Sequence, residues 1–311
     1  MHSDEVIEMS PPLLEVSHIM KRFVSKKQQV IAVNNVSFDI SSNEIVGLVG
    51  HNGSGKTTIL KMLAGLLYPD EGTIKIEGEL WEEKQVKETI AILLEGSRSF
   101  YWNLTGKQNL AYFSVLADVK HTKDRIAELI ELLEMSAFID RMTGTYSRGM
   151  QQRLSLAIAL LQQPKLLILD EPSNGLDYEW SQLLAELLQD LTAKVDMSII
   201  VVSHDFHFLY QFVDRILHLK KGMLVRELPV HRTNVDSNDQ YVSFHLQGEL
   251  PTDMDIPVSL LVQQKKNGWI INGNPDSTEI YHFISKAVSN GLTVEQVTTS
   301  LAVTGKEEAY G

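Results

Sequence analysis

The sequence predicts an α/β fold: a mixed sheet with an antiparallel β portion, an inserted helical block, and a small α+β unit toward the C-terminal end. Three observations predict it. Glu44-Ile45-Val46-Gly47-Leu48-Val49 is a strand-like run that passes through Gly50-His51-Asn52-Gly53-Ser54-Gly55 into Lys56-Thr57-Thr58, followed by Ile59, Leu60, Met62 and Leu63 at helical spacing. Leu166-Leu167-Ile168-Leu169 and Ile199-Ile200-Val201-Val202 are runs of buried-strand length with a helical pattern from Leu183 to Leu191 between them, the alternation of a parallel sheet. From Thr105 the character changes to helix, in three successive runs that end at Gln162.

Taken in order, Met1 to Pro12 reads as a frayed leader, because Pro11-Pro12 discourages regular structure. Leu13 to Ile19 is the first strand and Met20 to Gln29 a basic loop around Phe23. Val30 to Ile40 follows as a second strand region in which Val36, Phe38 and Ile40 alternate with polar residues. After the glycine-rich loop and its helix, Pro69-Asp70-Glu71-Gly72 is a turn, Thr73 to Gly78 an alternating strand and Thr89 to Leu94 another strand. Thr105-Gly106-Lys107-Gln108 fits a capping box that opens a helix carrying Leu110, Phe113, Leu116 and Ala117. Arg125 to Met135 and Ser147 to Gln162 are two further helices. Arg215 to Leu219 and Met223 to Leu228 form a hairpin across Lys220-Lys221-Gly222. Beyond a polar stretch, Tyr241 to Leu246 is a strand, and Val258 to Val262 faces Trp269-Ile270-Ile271. A helix then runs from Asp276 to Asn290-Gly291, and a last helix is expected from Thr293 to Leu301.

The 311 residues are 43% hydrophobic and 22% charged, which excludes disorder along the whole length. A formal charge of −12 argues against a broad nucleic-acid surface, and no nucleic-acid partner is expected. Cysteine is absent, so no disulfide framework or thiolate metal site exists, in keeping with a reducing, cytoplasmic location. No apolar run approaches the roughly 18 to 20 residues that cross a bilayer, and Met1 to Pro12 lacks a signal-peptide pattern. Any membrane contact must therefore come through a partner.

Gly50 to Thr58 matches the phosphate-binding pattern of a glycine, four residues, then Gly-Lys-Ser/Thr. Glycines turn successive N–H groups inward, and the following helix N-terminus adds to that anion site. Gly50, His51, Asn52, Gly53, Ser54, Gly55, Lys56, Thr57 and Thr58 are thus candidate nucleoside-triphosphate-binding residues, with Lys56 reaching the β- and γ-phosphates and Thr57 holding Mg²⁺. The loop alone does not choose among kinases, GTPases, helicases and transport ATPases. Asp170 and Glu171 end an apolar strand, where Asp170 can serve Mg²⁺ and Glu171 can polarise water. Ser147-Arg148-Gly149 at the start of a helix is either a second anion site or an ordinary helix with Ser147 as N-cap.

The ordered set of the glycine-rich loop, Tyr146-Ser147-Arg148-Gly149-Met150-Gln151, Asp170-Glu171, Asn174-Gly175-Leu176-Asp177 and Ser203-His204-Asp205 resembles the ATP-binding subunit of an ABC transporter. The resemblance covers roughly residues 13 to 228. It implies an ABC-type P-loop ATPase domain at 13–228 with a helical subdomain at about 96–162; beyond it, composition and patterning give a linker at 229–239, a small α+β accessory domain at 240–303 and a loose tail at 304–311. The resemblance further implies that two copies, or this chain and a paralogue, meet head to tail with ATP and Mg²⁺ between them. Ser147, Arg148, Gly149 and Met150 would then contact ATP bound by the partner copy. Glu171 resembles the catalytic glutamate, His204 the switch histidine and Asp177 the interface aspartate. Phe23 falls where the family places a ring under adenine, while a simple core phenylalanine is the alternative reading.

Three departures accompany the resemblance. The family's Leu-Ser-Gly-Gly-Gln is Tyr-Ser-Arg-Gly-Met here; Glu95 replaces a glutamine expected to bind Mg²⁺ or water; and Gln108 replaces a common glutamate. Gly96 to Leu104, with aromatics at Phe100, Tyr101 and Trp102, is either a buried hinge or the groove that receives a membrane permease subunit. The variant signature and C-terminal unit resemble bacterial exporter-type subunits with a separate permease, which places the chain peripherally on the inner face of the membrane. Two alternatives stand beside export: a non-transport ATPase of the same class, and a weakly hydrolysing regulatory module. A single nucleotide loop, no long heptad insertion between Lys56 and Asp170 and no basic tail weigh against the first.

Overall fold

The computed structural model describes residues 11–24, 29–94, 100–174, 178–203, 206–230, 240–251, 254, 257, 260–265, 268–274 and 277–301. Glu95, Gly96–Ser99, Gly175, Leu176, Asp177, His204 and Asp205 lie outside the described residues, as do residues 1–10, 231–239 and 304–311. The N-terminal part consists of β1 (Leu14–Val24), β2 (Gln29–Ile40), β3 (Ile45–Val49), α1 (Lys56–Leu63), β4 (Glu71–Ile76), β5 (Glu79–Leu80), α2 (Glu83–Thr89) and β6 (Ile90–Leu93). Helices α3 (Gly106–Leu116), α4 (Thr122–Leu132) and α5 (Arg148–Leu160) form the inserted block. Then come β7 (Leu166–Asp170), α6 (Tyr178–Val195), β8 (Ser198–Val202), α7 (Phe206–Tyr210), β9 (Arg215–Lys220) and β10 (Met223–Pro229). The last part is β11 (Gln240–Gln247), β12 (Leu261–Lys265), β13 (Gly268–Gly273), α8 (Thr278–Ser289) and β14 (Thr293–Leu301).

Among the described residues the strands form three sheets. The first, antiparallel, runs β2-β1-β4-β5; the second runs β10-β9-β3-β8-β7-β6, parallel from β9 to β6 with β10 antiparallel at its edge; the third, antiparallel, runs β12-β13-β11-β14. The period of two in the central strands feeds two cores. Val46, Leu48, Ile168, Ile200 and Leu217 face α1 and the first sheet, whereas Ile45, Val49, Leu167, Leu169, Ile199 and Val201 face the helical side. Burial on both faces explains why these strands read as continuous apolar runs. Each fully buried branched side chain contributes about 1.5–3 kcal/mol relative to exposure. The third sheet buries Val242, Phe244 and Leu246 with Ile280, Phe283 and Ile284 of α8, and this core is continuous with Leu209 and Phe212 of the main body.

Local signals set the helix starts. The Thr105 hydroxyl accepts from Gln108 N (3.2 Å), and Gln108 Oε1 accepts from Thr105 N (2.9 Å), completing the capping box. Ser147 caps α5 by accepting from Met150 N at 3.4 Å.

Two sequence expectations are corrected. Thr293–Leu301 is the strand β14, paired antiparallel with β11, and not a helix. Its register slips between His245 and Leu246, so that Val297 opposes Phe244 and Val294 opposes Leu246. A bulge there brings residues three apart onto the buried face, which imitates a helical period. The loop from Met20 to Gln29 is shorter than expected, because β1 continues to Val24, with Phe23 opposite Val30. Register irregularities between Val16 and Arg22, with His18 and Asn35 at positive φ, break the alternation that would reveal the strand. Helix α2 carried no strong apolar period and was not foreseen; Lys87 pairs with Glu83 one turn away at 2.6 Å.

Candidate nucleotide site

The glycine-rich loop leaves the end of β3, a strand buried along its whole length between β8 and β9. Gly50 has φ 153° and Gly55, the N-cap of α1, has φ 106°. A Cβ on Gly50 would collide with the Leu219 carbonyl, and one on Gly55 with the Ala32 carbonyl. Both positions therefore exclude larger residues. No side chain caps α1, so its first-turn amides stay available to an anion. Lys56 Nζ donates to Gly50 O (2.7 Å) and His51 O (3.3 Å), folding back over the loop. Asn52, Gly53 and Thr57 are exposed, His51 and Thr58 half-buried, and Ser54 fully buried with no partner for its Oγ. An uncapped helix start, glycines that only glycine fits and a lysine bent over their carbonyls are the donor set of a phosphate cradle.

The strand-end carboxylates converge on the same lysine. Burial lowers the Lys56 pKa, and the charges of Glu171 and Asp170 oppose that change. Asp170 is buried at the end of β7 beside Val202 of β8. Glu171 has φ 52°, a left-handed conformation for a residue with a side chain, at a cost on the order of 1 kcal/mol or more. Its N–H donates to Val202 O at 2.8 Å and its carbonyl accepts from Asn174 N at 3.1 Å, so the strained backbone is held on both sides. Among the described residues no group of three or more metal-binding side chains stands ready by itself, so a Mg²⁺ site here would need phosphate oxygens besides Thr57 and Asp170.

Tyr146 to Met150, far from the loop in sequence, stands at the N-terminus of α5. Tyr146 is buried, its hydroxyl donating to Phe138 O at 2.9 Å, while Ser147 and Arg148 are exposed and Gly149 and Met150 half-buried. An element missed in the sequence supports this turn. The Trp180 indole, at the start of α6, lies so close that a Cβ on Gly149 would sit 3.0 Å from its Nε1. Arg153 also lies over that indole, its guanidinium 4.0 Å from the ring centre, and Arg153 Nη1 donates to Glu134 O at 3.0 Å. A lone tryptophan after Asp177 carries no sequence signal for such packing.

Phe23 is 46% exposed, which removes the core reading and leaves an accessible ring beside Val30 and Ile31. The aromatic segment divides its labour: Phe100 is buried, whereas Tyr101 and Trp102 are exposed. Asn109 fixes Tyr101 by accepting from its N–H (2.7 Å) and donating to its carbonyl (3.0 Å). Among the described residues no helix is long and apolar enough to cross a membrane.

Comparison with known proteins agrees with this arrangement. The profile of a family described as ABC transporter matches residues 33–174. The ABC transporter ATP-binding protein NatA of Bacillus subtilis is 33% identical over 217 residues, covering 68% of this chain and 88% of that protein. The bacitracin transport ATP-binding protein BcrA of Bacillus licheniformis is 32% identical, covering 76% of each. A methionine import ATP-binding protein of Staphylococcus saprophyticus is 25% identical, covering 88% of this chain and 84% of that protein. In fold, the chain resembles the ATP-binding cassette MJ0796, solved as a dimer in a post-hydrolysis state with ADP and Pi, with a TM-score of 0.63 at 23% identity over 71% of this chain and all of that one. A phosphate cradle at the end of a parallel strand, a lysine near two strand-end carboxylates and the likeness to these relatives lead to one assignment: the chain belongs to the ABC transporter family as an ATP-binding, ATP-hydrolysing subunit.

Proposed function

We propose that this chain energises an export permease by binding and hydrolysing ATP in a head-to-tail dimer with a second copy or a paralogous subunit. The observation that supports the site assignment is the shared electrostatics of Lys56 with Asp170 and Glu171, as expected of a phosphate-binding lysine that shares one site with the strand-end carboxylates. In this reading the amides of Gly50 to Thr58 and the Lys56 ammonium hold the triphosphate, Phe23 stacks under adenine, and Thr57, Asp170 and Glu95 hold Mg²⁺. The metal, when bound, neutralises phosphate charge during transfer to water. Glu171 accepts the proton of the attacking water and His204 orients it. Ser147 and Gly149, exposed or half-exposed at an N-terminus of α5 remote in sequence from the loop, complete the site of the partner copy, with Arg148 and Met150 beside them and Asp177 at the interface.

Export is supported by the variant signature, and a transport role by the bacitracin transport relative. The strand β14 withdraws one support for that direction, the expected terminal helix, and a methionine import relative stands on the other side. The exposed rings of Tyr101 and Trp102 supply an anchoring surface for the permease, which would hold the chain at the inner face of the membrane. Glu171→Gln tests the site: steady-state hydrolysis should disappear while a fluorescent ATP analogue still binds. Retained hydrolysis would remove Glu171 from its role. Transport direction is read in inside-out vesicles carrying the co-purified permease, where export appears as ATP-driven uptake and import does not.

A further inference from the structure

Among the described residues, the third sheet with α8 meets the main body beside two segments, each one step from a segment of the proposed site. The first is the β9–β10 hairpin. Gly222 in its turn donates to Ser54 O of the glycine-rich loop (2.9 Å), and its carbonyl accepts from Asn34 N (2.8 Å). Leu219 O packs against Gly50 so closely that no Cβ fits. Lys220 stands between these two contacts and points the other way: its Nζ donates to Gly291 O (2.8 Å) and Thr293 Oγ1 (3.3 Å), where α8 ends and β14 begins. A cation at a helix C-terminus is favourably placed. Arg226 on β10 adds an ion pair with Glu295 at 2.9 Å. The second contact is aromatic, with Tyr210 of α7 5.7 Å from Tyr281 of α8 and 6.5 Å from Phe244 of β11.

We infer that Lys220 is a positioning residue for nucleotide binding: by tying the hairpin to the start of β14 it fixes Leu219 and Gly222, and through them the floor of the glycine-rich loop. This rests on the loop being the nucleotide site. A loop that must place several amides on one anion loses affinity when its support loosens, because the ordering cost then falls on binding. Lys220→Met keeps the stem length and removes all three donors, whereas Lys220→Arg keeps charge and donors.

The test titrates the full chain with a fluorescent ATP analogue and measures hydrolysis across ATP concentrations. Lys220→Met should weaken nucleotide binding and raise KM about five- to tenfold, with kcat within about twofold of the unmodified chain. Lys220→Arg should restore most of the affinity. Thr293→Val, a milder change that removes only the longer acceptor, should shift affinity the same way by about twofold, so the inference stays testable should Lys220→Met fold poorly. Unchanged affinity in both Lys220→Met and Thr293→Val, or a fall in kcat alone, would overturn it. Failure of the unmodified chain to bind the analogue would instead overturn the assignment of the nucleotide site.

Discussion

The imidazole of His218 makes the stability of this protein depend on pH between about 4 and 6.5. His218 lies on β9 opposite Val49, the last residue of the strand that feeds the glycine-rich loop, and is 2% exposed with no partner for Nδ1. Burial, followed by the nearby charges of Lys220, His51 and Lys56, lowers its pKa from 6.5 to about 4. Below pH 6.5 the unfolded chain therefore binds a proton that the folded chain refuses. Stability is full above that pH and is lost as pH falls toward 4, below which both states are protonated. At about 1.4 kcal/mol for each pH unit, the window amounts to about 3 kcal/mol, most of it gone by pH 4.5. Urea denaturation followed by circular dichroism at pH 7, 6, 5 and 4.5 measures this directly. His218→Gln keeps a neutral polar side chain of similar size, so carboxylates that titrate in both proteins cancel in the comparison. The variant should lose less stability on acidification, by roughly 2–3 kcal/mol at pH 4.5. Parallel pH curves for the two proteins would refute the assignment of a neutral buried His218.

Two further changes test other parts of the structure. Arg215 is 16% exposed and binds Glu44 (2.5 Å) and Glu227 (2.9 Å), and its pKa is raised because the pairing with Glu44 outweighs burial. Arg215→Ala should cost about 3 kcal/mol in urea unfolding by stranding Glu44, and Arg215→Ala with Glu44→Ala should recover part of it. Gly149→Ala places a methyl against the Trp180 indole, 3.0 Å from Nε1. It should lower stability by about 1 kcal/mol and reduce steady-state hydrolysis about tenfold or more, while analogue binding to the isolated chain stays within about twofold.

Much of the site was legible because its chemistry is local. Gly50 to Thr58 is one contiguous segment whose glycines, helix start and lysine act through their own backbone, so spacing along the chain is spacing in space. The same holds for Thr105 to Gln108 and for Ser147, whose caps close within three residues. Phe23 was legible only as a position; its exposure follows from the extension of β1, which register irregularities hid. The error at Thr293–Leu301 has the reverse cause, since a bulge gave a strand the spacing of a helix.

The sequence by itself determined the fold class, the order of motifs and the identity of the phosphate cradle, because periodic burial and backbone chemistry are written residue by residue. Only the tertiary structure decided which distant groups meet. Lys56 faces Asp170 and Glu171 because parallel pairing of β3, β8 and β7 carries their C-terminal ends to one edge. Trp180 meets Gly149, His218 loses its water, and Lys220 reaches Gly291 across 71 residues. Those relations depend on how sheets and helices close on one another, and no periodicity within a single segment encodes them.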